Sequence, residues 1–171
     1  MSTPEAPSNS GATLRSTLVT IVLTIGLLGL GSAVLSGTVL DETLPDIAGV
    51  DLEGRSVSLK SLCGQPVVLY FFATWCGACS LSSPTIGHFA DRHPDVPVLA
   101  LTSESSAEVR QALGNDLPAY RVVVSAGQML ARLGVRALPT TAIVDASGRV
   151  TWSRQGVLLP GELDLRLPGS P

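Results

Sequence analysis

The stretch Val67-Val68-Leu69-Tyr70-Phe71-Phe72-Ala73-Thr74-Trp75-Cys76-Gly77-Ala78-Cys79 carries two signals in succession, and their order decides the fold. Val67 to Ala73 is continuously apolar, β-branched and aromatic, and it follows Pro66. Such a run predicts a strand buried on both faces of a sheet. A helical stretch then runs to about Arg92, with Cys79, Ser82, Ser83, Ile86, Phe89 and Ala90 on one face. Pro84 cannot donate to the carbonyl of Ser80 and predicts a kink there. A strand feeding a helix that begins at Cys76 sets this thiol among unpaired backbone N–H groups, at the positive end of the helix dipole, which favours the thiolate. Cys79 lies one turn further on the same face, at a separation that a disulfide spans. Cys76 is therefore the predicted nucleophile and Cys79 the predicted resolving thiol. Cys-X-X-Cys is also a metal-binding spacing, so the two cysteines alone leave a cuprous-ion protein open. The chain holds only two Met and two His to complete such a site, and no metal ligand and no cofactor are assigned.

Outward from this unit, Val96 to Leu101, Arg121 to Val124, Thr140 to Val144 and Arg149 to Trp152 read as strands. Ser106 to Gly114 and Gln128 to Leu133 read as helices, the second ended by Gly134. Ala146-Ser147-Gly148 joins its two flanking strands closely enough to make them antiparallel neighbours. Upstream, Val50 to Leu52 and Val57 to Leu59 flank Glu53-Gly54 and predict a small edge hairpin. The sum is an α/β fold, a central mixed sheet flanked by helices. The chain of 171 residues has a formal net charge of −3, so it carries no basic field of the kind that nucleic-acid binding needs. Three cysteines are too few for a disulfide scaffold.

The N-terminal part has a different composition. Residues 1–15 are rich in Ser, Pro, Ala and Gly and read as a disordered tail. Residues 16–40 read as a transmembrane anchor, because no charge occurs from Leu18 to Leu40 and about 20 apolar residues span a bilayer. Arg15 and the terminal amine precede this stretch while Asp41 and Glu42 follow it, so the Lys/Arg bias leaves residues 41–171 outside the cytoplasm. A cleaved signal peptide is the alternative, with Leu18 to Leu30 as its apolar region and Gly31-Ser32-Ala33 as its cleavage site. Both readings deliver the domain to an oxidising compartment.

Trp75-Cys76-Gly77-Ala78-Cys79, taken with Gly134-Val135-Arg136-Ala137-Leu138-Pro139-Thr140-Thr141, resembles the thioredoxin superfamily in its TlpA-like branch of anchored extracytoplasmic thiol-disulfide proteins. The resemblance covers roughly residues 44–156. Within that branch, Cys79 to Pro84 and the ending Gly161 to Leu167 are most similar to protein disulfide oxidoreductases associated with suppression of copper sensitivity. The resemblance implies a thioredoxin fold and a cis Pro139 facing the cysteines. It also implies that the Leu138 backbone pairs with an extended substrate segment, with Trp75 in contact with substrate. Protein thiols or disulfides are then the substrates, and a membrane electron donor or acceptor is the partner. The implied direction is reduction, in cytochrome c maturation or copper stress, with oxidation or isomerisation of periplasmic disulfides as the alternative.

The chain also departs from the pattern. Thioredoxin proper carries a buried Asp six residues before its first cysteine, where this chain has Tyr70, and many TlpA-like proteins carry Glu three residues after the second, where it has Ser82. From Ser61 to Ala90 there is no Asp, Glu, Lys or Arg, so burial and the helix terminus are left to tune the thiols. Cys79 is expected to stay protonated well above neutral pH. Cys63 reads as an incidental thiol in a loop, His88 as an exposed helix residue, and Tyr70 as a core residue whose hydroxyl needs a partner.

Overall fold

The computed structural model of the chain describes residues 48–62 and 64–167. The expected tail at 1–15, the anchor at 16–40, the linker that follows it and Cys63 lie outside these residues. Among the described residues, no helix is long and apolar enough to cross a membrane.

The elements follow in the order β1 (Ala48–Asp51), β2 (Ser56–Ser58), β3 (Val67–Phe71), α1 (Gly77–Arg92), β4 (Val98–Leu101), α2 (Ser106–Leu113), β5 (Arg121–Val124), α3 (Gly127–Arg132), β6 (Thr140–Val144) and β7 (Val150–Gln155). Single 3-10 turns add Leu59–Leu62 and Asp164–Arg166. The strands form one mixed sheet in the order β2-β1-β5-β4-β3-β6-β7. β3 runs parallel to β4, and β4 parallel to β5, while β1 and β6 join antiparallel.

β3 is buried along its whole length. Its alternation divides the core, as the period of two requires. Val68, Tyr70 and Phe72 pack with Cys79, Ile86, Phe89 and Val109 on one face. Val67, Leu69 and Phe71 pack with Leu101, Leu133 and Ala142 on the other. The helix carrying the cysteines thus lies over the even-numbered face of β3. α1 continues through Pro84 as one helix, and its buried residues are Cys79, Ser82, Ile86 and Phe89.

The edge hairpin forms as its sequence predicts, and Asp51 organises its turn. This carboxylate accepts from the N–H groups of Glu53 and Arg55 at 3.1 and 2.8 Å, and from Arg55 Nε at 2.9 Å. Burial pushes the Asp51 carboxyl up, but these bonds and the Arg55 charge outweigh it and hold the group below the usual range. Gly54 takes φ 80°, which the turn demands and other residues resist.

Three stretches differ from the pattern-based expectation, the first being β1, which runs over Ala48–Asp51 instead of Val50 to Leu52. β4 starts at Val98 rather than Val96, because Pro97 has no N–H to give a ladder; its carbonyl instead accepts from Val68 N–H at 2.9 Å. β7 continues to Gln155 instead of ending at Trp152, since β6 offers partners as far as Thr140 opposite Gln155. The polar Ser153, Arg154 and Gln155 hide this extension in the sequence. Beyond β7, Leu158 and Leu163 are buried against α1, a packing for which the sequence offers no periodic signal.

Candidate redox site

β3 delivers the chain to the cysteines through a four-residue turn, in which Cys76 N–H donates to the Ala73 carbonyl at 3.2 Å. Cys76 is the N-cap of α1, with extended backbone, φ −88° and ψ 106°. Its Sγ accepts from the Cys79 N–H at 3.2 Å, the role that a Ser or Asp oxygen plays at other helix starts. A donor aimed at this sulfur favours its charged form. Its carbonyl accepts from the N–H groups of Cys79 and Ser80 at 2.9 and 3.2 Å.

Cys76 and Cys79 are joined as a disulfide, with their Cα atoms 5.2 Å apart. The two sulfurs are unequal in exposure. Cys76 is half-buried, whereas Cys79 is only 1% exposed. Trp75, just before them, stands 76% exposed.

The Leu138–Pro139 peptide bond is cis. Phe71 pairs with Thr140 in the antiparallel β3–β6 ladder, so Pro139 falls beside Phe72, at the end of the sheet from which the chain leaves for Cys76. Leu138 packs against the cluster that contains Cys79, as Cys76 does. The Pro139 carbonyl accepts from Gly156 N–H at 2.8 Å, and Thr140 Oγ1 donates to the Ala137 carbonyl at 2.7 Å, which together fix the bend. Trp75, Cys76, Cys79, Leu138 and Pro139 therefore gather at one end of the sheet. His88 sits exposed on α1, outside this group. His93 and Arg92 instead tie the end of α1 to Asp164, each at 2.7 Å. Among the described residues, no group of three or more His, Cys, Asp or Glu is placed to hold a metal ion.

Beneath Cys79 lies a hydroxyl pair. The Tyr70 hydroxyl donates to the Cys79 carbonyl at 2.9 Å, which Ser83 Oγ also reaches at 3.0 Å, and the two hydroxyls lie 3.3 Å apart. Burial pushes the Tyr70 phenol up to about 12, against a smaller downward pull from the Ser83 bond. Tyr120 is raised by the same cause. A groove of about 630 Å³ runs past Thr74, Cys79, Ser83 and Tyr120. Ser82, three residues after Cys79, is fully buried, and its Oγ accepts from Leu158 N–H at 3.1 Å.

One residue of the site escaped the sequence reading. Glu104 Oε2 accepts from Thr74 N–H at 2.7 Å, and its Oε1 accepts from Thr74 Oγ1. The signal was present in the parallel pairing of β3 with β4. Phe71 lies opposite Leu101, so residues just past Leu101 come beside those just past Phe71.

Comparison with known proteins gives a consistent picture. The Redoxin family matches residues 40–165. A thioredoxin-like protein of Haemophilus influenzae is 32% identical over 131 residues, which make up 75% of this chain and 78% of that one. Thiol-disulfide oxidoreductase ResA of Bacillus thuringiensis is 30% identical over 110 residues, 62% of this chain and 64% of that one, so the chain spans somewhat less than two thirds of this relative. Among solved structures, DsbF of MTB, in mixed oxidised and reduced forms, superposes with a TM-score of 0.65 at 28% identity, covering 72% of this chain and 96% of that one.

Proposed function

We propose, from the premise that this chain belongs to the Redoxin family and is a thioredoxin-like protein disulfide oxidoreductase, that it reduces disulfides of extracytoplasmic proteins while anchored in a bacterial cytoplasmic membrane. The observation that carries the reading is the unequal pair: a reachable Cys76 at a helix N-cap and a sealed Cys79 within bonding distance. Such asymmetry supports Cys76 as the attacking sulfur and Cys79 as the one that follows.

In the dithiol form, the Cys76 thiolate attacks one sulfur of a substrate disulfide. The substrate S–S bond breaks, a mixed disulfide forms, and the departing substrate sulfur takes a proton. Cys79 then gives up its proton and attacks the Cys76 sulfur, which frees the second substrate thiol and leaves Cys76 bonded to Cys79. A membrane donor of two electrons and two protons would restore the dithiol. Trp75, Leu138 and Pro139 would form the substrate surface, with extended substrate backbone laid beside Leu138. The uncharged run from Leu18 to Leu40 supports the anchor, and the TlpA-like resemblance, of the kind tied to copper sensitivity, supports the reducing direction.

The test is equilibration of the protein with glutathione, joined to turnover of a scrambled-disulfide substrate. A potential near that of thioredoxin, about −270 mV, is expected, and one near about −120 mV would reverse the direction. Cys76→Ser should abolish exchange and Cys79→Ser should trap the mixed disulfide. Exchange persisting in Cys76→Ser would overturn the assignment of the nucleophile.

A further inference from the structure

The turn that presents Cys76 has no charged residue of its own, since Asp, Glu, Lys and Arg are absent from Ser61 to Ala90. Its two inner residues, Thr74 and Trp75, have to be held by something else if Cys76 is to keep its place at the helix start. We propose that Glu104 is a positioning residue for the nucleophilic cysteine, its carboxylate clamping Thr74 within the Ala73–Cys76 turn. This rests on the thiol-exchange reading of the site.

The clamp has two legs on one residue. One carboxylate oxygen takes the Thr74 N–H at 2.7 Å and the other takes the Thr74 hydroxyl, so both rotation and translation of Thr74 are restrained. Thr102 Oγ1 adds a third donor, at 2.9 Å from Oε2. Glu104 is itself held from both sides along its backbone. Its N–H donates to Thr102 Oγ1 at 3.2 Å, and its carbonyl accepts from Ser125 N–H at 2.8 Å. Ser125 takes φ 54°, the one positive φ of a non-glycine among the described residues, and this left-handed turn directs its N–H at Glu104.

With Thr74 fixed, Trp75 is turned outward and the Cys76 sulfur stays in line with the Cys79 N–H. A carboxylate suits this task because it accepts only, and all three groups facing it are donors. Glutamine can keep both legs, its amide oxygen accepting from the Thr74 N–H and its amide nitrogen donating to the Thr74 hydroxyl, but it loses the charge that strengthens them. Alanine removes both. Misplacement of a reacting group by about 1 Å costs on the order of 100-fold in rate, so a loosened turn should register in catalysis before it registers in the fold.

The experiment compares the full chain with Glu104→Gln, Glu104→Ala and Glu108→Ala. The last removes a carboxylate that closes the capping box of α2 with Ser105 and touches no part of the turn. The readouts are kcat and KM for a disulfide peptide, thermal midpoint, and hydrogen exchange of the Thr74 amide followed by NMR. Glu104→Ala should lower kcat/KM by about tenfold, mainly through kcat, and speed Thr74 exchange by about tenfold or more, while Glu104→Gln falls between it and wild type. Glu108→Ala should lower the midpoint and leave both other readouts within about twofold. The proposal is overturned if Glu104→Ala matches wild type in kcat/KM, or if Glu108→Ala, at a similar drop in midpoint, loses as much kcat/KM and Thr74 protection as Glu104→Ala does. Should Glu104→Ala fail to fold, Thr74→Ala deletes the hydroxyl leg alone; wild-type turnover in both Thr74→Ala and Glu104→Gln would overturn the clamp. A wild-type chain that exchanges no disulfide sinks the functional reading. A wild-type chain that exchanges disulfides while a loosened Glu104→Ala does so equally well sinks only this one.

Discussion

At the scale of residues, the two sulfurs differ because their surroundings differ. Cys76 gains a backbone donor and a place at the helix start, while Cys79 gains burial and a carbonyl fastened by Tyr70. The Cys-X-X-Cys spacing was legible from the sequence, since one helical turn is a local property. The partner of the Tyr70 hydroxyl was expected in kind but not in identity, because it is a backbone atom of the next element. Tyr70 also carries a pH signature. Its phenol is raised in the folded chain to about 12, so the folded state keeps its proton longer than the unfolded state does. The resulting stability is fully present below about pH 10 and is lost as pH rises through about 12, a loss of roughly 2 to 3 kcal/mol. Tyr70→Phe should flatten this alkaline decline in urea midpoints taken between about pH 9 and 12, leaving the part due to Tyr120, whose phenol burial also raises. An unchanged slope would contradict burial as the cause.

At the scale of elements, α1 is the helix to which most of the site is attached, and the chain beyond β7 closes over it. Leu158 and Leu163 are buried with Ile86 and Phe89, and Ser82 Oγ receives the Leu158 N–H at 3.1 Å. That hydroxyl serves backbone, donating to the Ala78 carbonyl as well. Ser82→Ala should leave the Leu158 N–H buried without a partner, at a cost of about 1 to 3 kcal/mol. A lowered urea midpoint together with faster amide exchange at Leu158, and not at Val109 in α2, is the expected result. Uniform acceleration across the helices would show a general loosening instead. The six apolar or small positions on one face of α1 announced the helix and its inward side. What they packed against could not be read, since the segment from Gly156 to Leu167 has Gly, Pro and Leu without a period.

At the scale of the whole molecule, the exported domain and the anchor are separate expectations with separate tests. The full-length chain should appear in the membrane fraction with its unprocessed mass, because the uncharged run from Leu18 to Leu40 is longer than a bilayer requires. A mature mass lacking about the first 33 residues would show a cleaved signal peptide. For the domain, the strands and the pairing of the last two could be anticipated from apolar runs and turns, and the edge hairpin from Glu53-Gly54. The sequence by itself determined which segments are strands and helices and that Cys76 and Cys79 sit one turn apart, because periodicity and spacing act between near neighbours in the chain. Only the tertiary structure decided that Glu104 holds Thr74 and that Ser82 holds Leu158. These pairings join residues far apart in sequence, and which donor meets which acceptor is set by sheet register and packing together, which no local pattern encodes.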